Sequence, residues 1–133
     1  MKLYYYEKAT LVTNQNNDIS LWSETGQLFK SPDKAFDDLR EDISVISKHA
    51  EEAPQITEFD ISIITGWKPC KFYARSYQDM NNILDSIART SGKNNLRMIE
   101  YNQTSKGSNH TNYITKIIYK LNMQSVTAEG EQL

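Results

Sequence analysis

The chain has 133 residues, a net charge of −2 and one cysteine, Cys70. That length fits a single domain, which buries roughly two thirds of its unfolded surface and needs no covalent staple. One cysteine excludes an intrachain disulfide, and no Cys/His cluster has zinc-finger spacing.

Nothing in the chain approaches the roughly 18 apolar residues of a membrane span. The N-terminus, Met1 to Lys8, is too short in apolar residues and too charged for a signal peptide. A cytoplasmic, non-membrane protein is therefore expected. The wealth of Asn, Lys, Ile and Ser matches AT-rich bacterial or phage genomes. Charge is uneven: residues 1–66 carry 12 acids against 6 bases, a net of −6, and residues 67–133 carry 5 acids against 9 bases, a net of +4. Either the domain is dipolar or its halves interleave in space and the charges mix.

Residues 2–13 alternate and are rich in Tyr, Thr, Val and Leu, the pattern of a strand. Asn14-Gln15-Asn16-Asn17 is a turn signal, and 18–30 is a second extended stretch broken at Thr25-Gly26, so the two form a hairpin. Ser31-Pro32-Asp33 opens a helix with an N-cap, a first-turn proline and an acid at the positive dipole end. Phe36, Leu39, Ile43, Ile46 and Ala50 give that helix, 31–50, one apolar face.

Residues 56–65 alternate as a strand, Gly66-Trp67-Lys68-Pro69 turns the chain, and 71–75 is the next strand. Ser76 to Asp79 reads as a cap for a second helix, 76–91, with Met80, Ile83, Leu84 and Ile87 in its stripe and Gly92 as its C-cap. Residues 96–103 form a strand, 104–109 a mobile loop, and 113–123 the last strand. The domain is thus 1–123, with 124–133 a frayed tail. The predicted core includes Leu39, Ile43, Ile61, Ile63, Leu84 and Ile87.

Lys30-Ser31 before the first helix echoes Arg75-Ser76 before the second, and Ile56-Thr57-Glu58-Phe59 echoes Met98-Ile99-Glu100-Tyr101. An internal repeat spanning 27–62 and 72–104 predicts an α+β fold. Its form is an antiparallel sheet with two helices on one face, a ferredoxin-like β-α-β-β-α-β core and an extra strand at each end.

Motifs for catalysis are missing. The five glycines follow no phosphate-loop pattern, and there is no G-x-S-x-G or H-E-x-x-H. His49 suits the negative end of a helix dipole, while His110 is a lone loop histidine. Cys70 reads as a small buried hydrophobe opening a strand. These features predict no enzyme, no catalytic residue, no metal and no cofactor, with a small enzyme assembled from scattered residues as the least favoured alternative.

Two surfaces are candidates for a partner. One is an acidic helix face of Asp37, Asp38, Glu41 and Asp42. The first reading of that cluster is a solvated face or a patch for a basic partner, and the Asp38–Asp42 spacing of one turn would also suit a cation with further ligands. The other is a basic and aromatic sheet strip, Lys71, Tyr73 and Arg75, joined by Arg97, Tyr101, Lys116 and Lys120. Such strips bind single-stranded nucleic acid, although no RNP consensus is present. The Tyr4-Tyr5-Tyr6 run with Trp22 and Trp67 suits a protein interface. The expectation is a protein-binding module that inhibits or neutralises a partner, with the short, single-domain, motif-poor profile of bacterial immunity and phage anti-defence proteins. A nucleic-acid-binding domain is the alternative, and a homodimer is compatible with either.

Overall fold

The computed structural model describes residues 3–14, 19–25, 28–66, 70–90, 96–107 and 111–126. The chain folds as β1 (Leu3–Asn14), β2 (Ile19–Thr25), α1 (Pro32–Glu52), β3 (Ile56–Thr65), β4 (Cys70–Ala74), α2 (Tyr77–Thr90), β5 (Leu96–Lys106) and β6 (Asn112–Val126). The six strands form one antiparallel sheet in the order β2-β1-β6-β5-β3-β4.

Local chemistry explains the helices. Ser31 is extended and its Oγ accepts from the Lys34 amide at 3.2 Å, Pro32 follows, and Asp33 lies in the first turn. Ala35, Phe36, Leu39, Ile43 and Ala50 are buried along one stripe. Ser47 is buried in the same stripe and donates to the Ile43 carbonyl at 2.9 Å, which removes the cost of an unpaired hydroxyl. The helix stops before Pro54, with Ala53 extended, as a residue ahead of proline prefers. Ser76 caps α2 by accepting from the Asp79 amide at 3.0 Å. Met80, Leu84 and Ile87 then face inward.

The sheet's side chains separate by face. Tyr6 of β1, Ile61 and Ile63 of β3, Ala74 of β4, Ile99 and Tyr101 of β5, and Ile117 and Tyr119 of β6 share one side and form one core with both helix stripes. Both helices therefore cover the same face of the sheet. All six core residues expected from the periodicity are buried there, none more than 4% exposed.

The chain order β-α-β-β-α-β between two outer strands is present, but the ferredoxin-like sheet order is not. That order would seat β2 between β5 and β4. Instead β2 is held by its hairpin partner β1 at the far edge, β1 takes β6 as its second neighbour, and β3 pairs directly with β5. Short-range pairing across the hairpin closes a small loop and outcompetes a distant partner. β2 is described to Thr25, the expected break at Thr25-Gly26 falls partly outside the described residues, and Phe29 forms a further bridge to Tyr4 of β1.

Two further corrections concern β5 and Cys70. Thr104, Ser105 and Lys106 are not loop but the end of β5, paired with Ile114, Tyr113 and Asn112. Cys70 opens β4 as expected but is exposed, because β4 is an edge strand. The last strand also runs past 123 to Val126. Trp67, Gly92, His110 and the tail from residue 127 lie outside the described residues.

The strand order mixes the two halves of the chain, with β1, β2 and β3 from the first and β4, β5 and β6 from the second. The charge division between halves therefore does not survive as a dipole across the sheet. It becomes a division between layers: the two helices carry nine Asp and Glu against four Lys and Arg.

Candidate functional site

The acidic cluster of α1 is split by helix geometry. Asp38 and Asp42 turn onto the sheet. Asp38 accepts from the Tyr6 hydroxyl at 2.7 Å, and Asp42 accepts from Lys8 Nζ at 3.0 Å and from the Tyr119 hydroxyl. Lys8 also lies over the Tyr119 ring, 5.6 Å from its centroid. These two carboxylates bind α1 to β1 and β6. Among the described residues no group of three or more His, Cys, Asp or Glu side chains converges as a metal site.

Asp37 and Glu41 are exposed on the other flank. There they border an open groove of about 590 Å³ between α1 and α2, with Arg40, Lys48, Tyr77 and Asp85. Arg40 spans it, bonding Asp85 at 2.6 Å. The groove thus mixes both charges, and Arg40, one of its two cations, is already paired.

The basic strip is also divided. Lys71, Tyr73, Lys116 and Lys120 do share the sheet face away from the helices. Lys116 is bonded to Glu100 at 3.0 Å on the neighbouring strand, and Lys120 stands opposite Glu7. Arg97 sits at an irregularity in the β3–β5 pairing and donates to the Gly66 carbonyl at 3.1 Å. Gly66 has a positive φ of 72°, the left-handed conformation that suits glycine as the chain leaves β3. Arg75 is exposed just past β4. Tyr101 does not belong to the strip: it is buried under the helices, stacked near Phe59 with its hydroxyl donating to Gln103.

What the strand register builds on the helix-free face is an apolar band. Ala9 stands opposite Ile118, and Met98 opposite Ile64. Ile118 and Met98 are diagonal neighbours through the Glu100 and Lys120 pairings, and Ile64 and Tyr73 through the Ser62 and Lys71 pairings. With Leu11 beside Ala9, the band runs obliquely from β1 across β6, β5 and β3 to β4. Its members are half-buried by one another, except Tyr73, which is 65% exposed. The Lys116–Glu100 pair flanks the band on one side, and Glu7, Lys120 and Lys71 flank it on the other. A depression of about 150 Å³ beside Ala9 and Ile118 lies at its β1–β6 end.

Sequence periodicity missed the band because its members are far apart along the chain. A signal was nevertheless present in the adjacent apolar pairs Ile63-Ile64, Met98-Ile99 and Ile117-Ile118. Neighbouring residues of a strand point to opposite faces, so each pair places one apolar side chain in the core and one on the bare face. No protein-family model, no curated protein and no solved structure matches this chain.

Proposed function

We propose that this domain is a protein-binding module that inhibits or neutralises its partner by occupying it, through the helix-free face of the sheet. The observation that carries this reading is the apolar band with charged flanks. An antiparallel sheet that merely faces water alternates polar residues outward. Here an apolar strip crosses five strands with charged residues on both flanks, among them the Lys116–Glu100 ion pair, the arrangement of an interface centre with a polar rim. The face spans roughly 24 Å across six strands, and its four longest strands run about 33 Å or more, the scale of the roughly 800 Å² patch that one partner buries in a standard interface. Neutralisation in the manner of immunity or anti-defence proteins fits a small domain that acts by covering a surface.

The nucleic-acid alternative is less favoured because two of its cations, Lys116 and Lys120, already face Glu100 and Glu7, which offset the charge that phosphates would neutralise. The test is capture from the native host with the wild-type chain and with an Ile118→Lys variant, followed by mass spectrometry and an oligonucleotide-binding assay. A single protein partner retained by the wild type and lost by Ile118→Lys supports the proposal. Oligonucleotide binding that falls steeply with salt and involves Lys71 and Lys116 would replace it.

A further inference from the structure

The edge strand β4 has β3 on one side and no neighbouring strand on the other among the described residues. Its residues Cys70 to Tyr73 are exposed, Phe72 by 37% and Tyr73 by 65%. Beneath this edge, between β4 and α2, runs a groove of about 390 Å³ lined by Thr65, Cys70, Phe72, Asn82, Ile83 and Ile87. No charged side chain lines it. A free edge offers unpaired N–H and C=O groups to another extended chain, and folded proteins cover, twist or charge such edges to control that pairing.

We infer that β4 pairs antiparallel with β4 of a second copy about a two-fold axis at Phe72, joining the two sheets into one. The argument is self-complementarity. A two-fold axis perpendicular to the sheet keeps both helix layers on the same side, so residues facing each other must share a face. Centred on Phe72, the pairing sets Phe72 against the partner's Phe72 on the groove side, with Cys70 against the partner's Ala74. On the bare side it sets Lys71 against the partner's Tyr73, a cation beside an aromatic face, twice over.

The neighbouring permitted registers are repulsive. Sliding by two residues one way places Lys71 against the partner's Lys71. Sliding the other way places it against the partner's Arg75. Like charges directly opposite destabilise strand pairing, so the lysine that guards this edge against indiscriminate pairing also selects the one register. The two apolar grooves then meet along the axis, and each Phe72 is covered by its counterpart. This surface is separate from the centre of the bare-face band, and the inference does not depend on the band's function.

A five-residue strand makes a small interface, so the dimer belongs to the weak, concentration-dependent class. Analytical ultracentrifugation of the full chain from roughly 1 μM to roughly 500 μM should show a monomer–dimer equilibrium. Phe72→Asp places two carboxylates across the axis and should weaken association by about a hundredfold or more, since such juxtaposition costs several kcal/mol. In the Cys70→Ser/Phe72→Cys background the sole thiol meets its own copy on the axis, so mild oxidation should yield a disulfide-linked dimer, which the wild-type Cys70 should not form. A monomer at every concentration overturns the inference. So does a dimer that survives Phe72→Asp, or one in which the thiol at position 70 cross-links and the thiol at position 72 does not.

Discussion

Asp42 receives hydrogen bonds from two strands at once, from Lys8 on β1 and from Tyr119 on β6. Tyr119 is fully buried, so its hydroxyl has no solvent to turn to if that acceptor is removed. Asp42→Ala should therefore destabilise the fold by about 1–3 kcal/mol, the cost of a buried polar group left unpaired. Asp38→Ala should cost less, because Asp38 itself is exposed. Urea denaturation of the two variants checks the order. The same burial sets an alkaline limit on stability. The Tyr101 and Tyr119 phenols are held above their ordinary value of 10.0, both by burial and Tyr119 also by the Asp42 carboxylate. In the unfolded chain these protons leave as the pH passes about 10, while the folded chain keeps them. Stability present at neutral pH is thus lost progressively above pH 10. A melting temperature that falls from about pH 9 to about pH 11, and falls less in Tyr119→Phe, is the expected outcome. An identical alkaline profile in Tyr119→Phe would contradict the assignment.

The elements themselves were written in local signals. Ser31 and Ser76 cap their helices as their positions suggest, and the stripes of Leu39, Ile43, Leu84 and Ile87 point to the core. Leu39→Ala and Leu84→Ala should each cost about 2–5 kcal/mol by leaving cavities between helix and sheet, measured as loss of denaturation free energy. Unchanged stability in both would mean that the stripes face no core. Strand neighbours were not legible in the same way. The echo between the two halves predicts a ferredoxin-like sheet, but β2 is claimed by β1 and β3 by β5, and such choices depend on which long-range pairings win together. Polar composition also misled at Thr104 to Lys106. These residues extend β5 because the facing residues of β6, Ile114 to Asn112, offer a ladder that composition does not reveal. Cys70 carried the opposite error, since its burial depends on whether β4 is a central or an edge strand.

At the scale of the whole molecule, one architectural fact separates the two candidate surfaces. Both helices lie on one side of a six-stranded sheet, and the other side carries a band of apolar residues drawn from five strands. Half of the acidic helix cluster is spent on holding α1 to the sheet, and the other half borders a groove bridged by the Arg40–Asp85 pair. The candidate site was legible in the sequence only in part. Lys71 and Tyr73 of β4 share one sheet face with Lys116 and Lys120 of β6, while the apolar band that crosses that face needed the register of the strands. Among the described residues no helix is long and apolar enough to cross a membrane. The most direct measurement is the dissociation constant of the captured partner for three forms of the chain: wild type, Ile118→Lys and Asp37→Lys/Glu41→Lys. All three should stay folded, because exposed or half-exposed substitutions of this kind usually shift stability little. Binding through the bare face predicts that Ile118→Lys weakens the complex by about tenfold or more, as burying an unpaired charge in an interface centre requires, while the helix variant changes it by less than about threefold. A complex lost in the helix variant and unaffected by Ile118→Lys would place the partner on the helices and contradict the account.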